Sequence, residues 1–289
     1  MASNQDYGSI SDQEFSPATK KQTLPLNALI ALVVGSMVGA GIFTLPSRFG
    51  QATGVIGGLI AWLIAGTGML MLAFVFQTLA ERKPDLDSGV FIYAKEGFGN
   101  YIGFLAAFAF WASTCVGNTS YFVLIKSTLG GFFPIFGDGN TVPAVITASI
   151  LLWVFHFMIL RGVKQAAGLN TVVTIAKIVP ILLFIVVLIF AFKPDVFAAN
   201  LLGGQGYDAK PLFEQIRDTM LVTVFVFIGI EGASVYSRYA EKRSDVGVAT
   251  VIGFVGVLAL LVLMTTLPFG ILPREELAAV RNPSMAGVF

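Results

Sequence analysis

Charge is what this sequence has least of. Asp, Glu, Lys and Arg together make up 12% of the 289 residues, about half the share found in a soluble domain. Histidine and cysteine occur once each, as His156 and Cys115. One cysteine excludes a disulfide within the chain. With one histidine beside it, the ligand set of a zinc or haem site is missing too, so no metal or other cofactor is expected. Neither GxSxG nor HExxH occurs, and Glu231 is the only acid near the middle of an apolar run, without a second acid beside it. An intramembrane enzyme would need one of these constellations. The net charge of +1 gives no reason to expect a nucleic-acid partner.

What remains is apolar. Hydrophobic residues are 56% of the chain, Phe alone occurs 26 times, and the mean hydropathy is +0.82. A bilayer core takes about 20 apolar residues per helix. Runs of that kind cover roughly 26–47, 54–80, 97–125, 142–160, 169–192, 214–237 and 248–272. The expectation is an all-α, multi-pass membrane protein over residues 24–289, with lipid as its solvent. Residues 1–23 are polar, lack the apolar stretch of a secretory signal, and read as a disordered cytoplasmic tail.

Charge islands orient the spans. Ten basic residues, among them Lys20, Lys21, Arg82, Lys83, Arg161, Lys242 and Arg243, fall on one side. Six fall on the other: Arg48, Lys193, Lys210, Arg217, Arg274 and Arg281. The excess sits in short loops, where the positive-inside rule acts most strongly. The N-terminus is predicted to be cytoplasmic and the membrane to be the inner cell membrane. An outside N-terminus, as a seven-helix receptor would show, runs against this distribution. The polar stretch 82–96 is expected along the inner interface.

Two spans carry glycines where a helix interior disfavours them by about 1 kcal/mol each. In the first, Gly35, Gly39 and Gly41 surround Ser36, Met37, Val38 and Ala40; in the sixth, Ile228, Gly229, Glu231 and Gly232 follow Phe227. Gly35 and Gly39 also form GxxxG, a helix-packing motif. The recurrence five spans later favours discontinuous helices at a midplane site. A broken membrane helix offers N–H donors on one half and C=O acceptors on the other. Those ends suit the carboxylate and the ammonium of an α-amino acid.

At these residues the sequence resembles the amino acid–polyamine–organocation transporter superfamily. GSMVGAGIFTLP (Gly35 to Pro46) is similar to that family's broken first helix. FIGIEGASV (Phe227 to Val235), with the loop EKRSDVGVAT after it, is similar to the sixth helix of the basic amino acid/polyamine antiporters, closest to the arginine:ornithine branch. The resemblance implies a leucine-transporter-like fold: two inverted five-helix repeats and two further helices, with spans 1 and 6 broken. About seven of twelve spans would then be present, an incomplete transporter.

The resemblance also implies a site. Ser36, Met37, Gly39, Ala40 and Gly41 would bind substrate from span 1, and Phe225, Ile228 and Gly229 from span 6. Phe110, Trp111, Ser113, Thr114 and Asn118 would do so from span 3, where WASTCVGN resembles a substrate-lining helix. Phe225 stands where arginine/agmatine exchangers carry Trp, so its cation–π attraction would be the weaker one. Glu231 would gate or couple transport; capping the second half of span 6 is the other reading. Lys177 would hold the carbonyls of broken span 1 in the place that a sodium ion takes in relatives; snorkelling to the interface is its alternative.

The function so implied is alternating-access exchange of a basic amino acid such as arginine for ornithine or a related amine. Proton-coupled symport of another amino acid is the alternative. Partners are the amino-acid substrate and the lipid bilayer, and a homodimer is allowed. His156 is expected to make a helix–helix contact.

Overall fold

The computed structural model describes residues 24–83, 86, 90–160, 163–203, 211–230, 240–242 and 244–288. The expected tail 1–23 lies outside them. Among the described residues the regular structure is helical, apart from one isolated parallel bridge between Leu24 and Ala240.

The first apolar run is two helices. α1 (Leu26–Met37) begins after Pro25, ends at Val38, and is followed by extended Gly39 and a 3₁₀ turn over Ala40–Thr44. α2 (Leu45–Ala52) then continues, with Pro46 at its start, where a missing N–H costs nothing. The two halves meet at 49°. The span therefore runs five residues beyond the predicted 47, because Pro46 opens a new helix and does not end the old one.

Among the described residues, four unbroken helices are long and apolar enough to cross a bilayer: Val55–Leu79, Asn100–Gly130, Val173–Ala191 and Ser244–Gly270. The first three lie within α3 (Val55–Arg82), α5 (Asn100–Gly130) and α7 (Val163–Ala191), and the fourth is α10 (Ser244–Thr266) with the 3₁₀ turn Leu267–Gly270 after it. α6 (Val142–Leu160) is apolar but shorter. α9 (Leu212–Phe225) gives way to turns over 226–230. Of the seven predicted runs, as far as the described residues go, four are continuous spanning helices, one is a bent pair, one is short and one gives way to turns after Phe225. The third run also shifts, from 97–125 to Asn100–Gly130. Gly99, at φ +88, separates it from α4 (Val90–Phe98), which holds part of the stretch expected along the interface. Pro194–Ala199 (α8) and Arg274–Ala279 (α11) are short connecting helices.

The core forms where α1, α3, α9 and α10 pack together. Phe49 stacks on Trp62 at 5.5 Å, Trp62 meets Phe227 edge-on at 5.7 Å, and Phe227 meets Phe254 at 5.1 Å. Trp62 Nε1 donates to Thr265 Oγ1 at 2.8 Å, so its one polar group is satisfied inside this apolar column. By contrast, α5 and α6 expose most of their apolar side chains. Pro180 lies inside α7.

A second, polar knot closes the end of the bundle beyond α2. Arg274, 1% exposed, donates from Nε to Gly50 O at 2.9 Å and from Nη1 to Gly203 O at 3.1 Å. Asn200 donates to Phe269 O and Leu272 O, and Gln215 accepts from the Gly54 N–H. The knot joins α2, α9 and the α10–α11 connection. Gly203, at φ +114, lets its backbone approach Gly54 closely enough that a Cβ on Gly54 would overlap it.

A cleft between two interrupted helices

The break in span 1 leaves the last carbonyls of α1 without intrahelical partners. Val38 N–H donates to Val34 O at 2.9 Å, and Gly39 N–H to Met37 O at 2.9 Å. Gly35 O is taken from another helix: Lys177 Nζ of α7 donates to it at 2.6 Å. An ammonium at a helix C-terminus meets the negative end of the helix dipole. The bond also gives a half-buried lysine a charge-assisted partner in the membrane.

The break in span 6 lies against that end. Gly229 has φ +106, and a Cβ there would stand 2.5 Å from Ser36 O. Glycine is thus required twice over, by backbone conformation and by contact. Ser36 Oγ lies 2.8 Å from Gly229 O and 2.9 Å from Val33 O, so its one proton is shared between two carbonyls. Phe227 turns into the core, fully buried, while Phe225 is 51% exposed and faces Gly41, whose Cβ position is 3.7 Å from its ring.

Between these segments and α5 lies a cleft of about 190 Å³. Of the predicted residues, Ser36, Met37, Gly39, Gly41, Phe110, Ser113, Thr114, Phe225 and Ile228 line it. Ala40 lines a wider cleft of about 940 Å³, which shares Gly41, Tyr121, Phe225 and Val226 with the first. These four residues form the neck between the two. Gly229 stands behind the lining, against Ser36. The hydroxyls of Ser113 and Thr114 bond back to Phe110 O at 2.9 and 2.8 Å.

Trp111 and Asn118 line neither cleft; both are exposed, and Trp111 packs on Phe108 of its own helix at 5.8 Å. The face of α5 turned to the cleft is Phe110, Ser113, Thr114, Gly117 and Tyr121, a helical repeat. Trp111 and Asn118 each follow a lining residue by one, about 100° around the helix. Glu231 lies outside the described residues. His156 is exposed and contacts Trp153 and Phe157, both on its own helix.

Tyr121, Gly117, Val226, Ile42 and Leu261 were not foreseen. Tyr121 holds its hydroxyl 3.1 Å from the Cβ position of Gly39, directly over the break. The repeat starting at Phe110 points to it, one turn beyond the string that carried the resemblance.

A bent helix pair and a helix that gives way to turns thus meet beside a cleft inside a mostly apolar helical bundle. The chain belongs to the amino acid permease family, whose family model matches residues 24–289. It is 58% identical over 265 residues to the arginine/ornithine antiporter of Pseudomonas aeruginosa, covering 92% of this chain and 55% of that protein. It is 48% identical over 272 residues to the L-lysine transport protein of Corynebacterium glutamicum, covering 94% and 54%. With the arginine/agmatine antiporter of Chlamydia caviae the identity is 42% over 273 residues, covering 93% and 56%. The chain spans a little over half the length of these relatives.

Proposed function

We propose that this chain carries the substrate site of a basic amino-acid exchanger of the cell membrane, working by alternating access between an arginine-like substrate and ornithine or a related amine. The contact between Ser36 and Gly229 carries the reading. It brings a helix C-terminus and a turn of backbone to one edge of the cleft, where a zwitterion finds both acceptors and donors. Phe225 at the neck offers its ring face to a cationic side chain, an attraction of about 0.5–2 kcal/mol. Lys177 supplies a fixed positive charge beside the break, the work a bound sodium ion would otherwise do. Glu231, on the continuation of span 6, is the candidate gating acid. The five-helix inverted repeat and a cytoplasmic N-terminus belong to the same proposal; the wider cleft then opens to the outside.

The names of the relatives support basic substrates: two of the three are exchangers of arginine and one is a transporter of lysine. The second reading is proton-coupled symport of another amino acid, and a relative named for transport of lysine alone leaves room for it. The full product of the gene, reconstituted in liposomes, separates them. Exchange requires that labelled arginine enter vesicles loaded with ornithine and not empty ones. Entry into empty vesicles under a proton gradient would overturn exchange and leave the site in place.

A further inference from the structure

The wider cleft is lined by three charged residues among those described: Arg48, Asp138 and Arg281. Two of them are paired. Arg281 Nη2 meets Asp138 Oδ1 at 2.6 Å and donates also to Gly137 O at 3.1 Å. The partners come from elements that are otherwise held separately. Asp138 lies in the turn after α5, where Gly137 and Gly139 have φ +51 and +87 and a Cβ on Gly139 would stand 2.7 Å from Val123 O. That turn is fixed to α5. Arg281 follows α11, which is fixed to α2: Gln51 Nε2 donates to Ala278 O at 3.0 Å, and the Ser47 N–H to Ser284 Oγ at 3.2 Å. The ion pair therefore reaches across the cleft mouth, from the helix beside the neck to the half of span 1 beyond its break.

We propose that Arg281 and Asp138 form a latch over this mouth, and that Asp138 is the first holding point for an incoming cationic side chain, which takes Arg281's place. The inference rests on the basic-substrate reading. The chemistry is an even trade: a guanidinium leaves the carboxylate and another guanidinium, the substrate's, takes the position. Both partners are exposed, at 58% and 76%. An exposed pair is weak and screened by salt, which suits a contact that must open in every cycle. Arg48 keeps the mouth from becoming a strong cation trap.

The test compares Arg281→Gln and Asp138→Asn in the full gene product, with arginine supplied from the mouth side and its uncharged isostere citrulline as competitor. Arg281→Gln frees the carboxylate, so the arginine KM falls about twofold to fivefold; Asp138→Asn removes it, so KM rises by a similar factor. Citrulline inhibition moves with neither. Shifts of the same sign in both variants, no shift, or equal shifts for citrulline would overturn the proposal, since a merely structural pair moves both variants alike. If the unaltered protein carries no arginine, it is the exchanger reading that fails. The latch is then judged on Ser127→Cys, a cleft-lining position, in a Cys115→Ala background. Faster modification by an impermeant thiol reagent after Arg281→Gln supports it, and an unchanged rate rejects it.

Discussion

At the scale of single residues, the site depends on what one position leaves out and what two others supply. Gly229→Ala would place a methyl group against Ser36 O at a φ that L-residues avoid, a strain of about 1–3 kcal/mol. The expected outcome is a lower melting temperature and loss of uptake together. A variant with normal uptake would show that the two breaks need not touch. Lys177→Met keeps the length of the side chain but leaves Gly35 O without its donor, a cost of about 1–3 kcal/mol. Transport is expected to fall about tenfold or more, with the apolar packing of α7 unchanged. Phe225→Ala removes the exposed ring at the neck. It should raise the KM for arginine by about twofold to thirtyfold while altering that for a neutral amino acid less.

At the scale of the element, the prediction concerns α5. Cysteines placed at Ser113, Thr114, Gly117 and Tyr121 face the cleft, so substrate is expected to slow their modification. Cysteines at Phe108 and Trp111 should react at a rate that substrate leaves unchanged. A pattern without helical periodicity would discard this face as the wall of the site. The same helix marks how far the sequence could be read. Apolar runs located the helices because lipid imposes length and composition on anything that crosses it. Glycines at 35, 39, 41 and 229 located the breaks, since a membrane helix has few other causes for such clustering. Which side of α5 meets the cleft was not legible, because a helix solvated by lipid and protein alike carries no polar–apolar asymmetry to fix its rotation. Residues 110, 113 and 114, named from the resemblance, line the cleft; Tyr121, which also lines it, was not foreseen, and Trp111 and Asn118 line neither cleft. α9 shows the converse: its run was found from composition, but the helix ends at Phe225, just before Phe227 and Gly229 pack on α10 and α1.

At the scale of the whole molecule, the bundle has two fastenings of different kinds. The polar knot around Arg274 ties α2, α9 and the α10–α11 connection into one body. Arg274→Met would withdraw donors from the buried Gly50 O and Gly203 O, at a cost of about 3 kcal/mol or more. The expected readout is a large fall in thermal stability, against a small one for Arg281→Gln at the surface. The apolar column Phe49–Trp62–Phe227–Phe254 starts beside that knot and joins α2, α3, the segment after α9 and α10. Of the chain's three tryptophans, Trp111 and Trp153 are exposed and Trp62 is 2% exposed, with its indole N–H held by Thr265. Replacing the two exposed ones with Phe would leave a single indole whose emission colour reports how dry the seam between α3 and the segment after α9 remains, so the protein contains its own optical gauge of that seam.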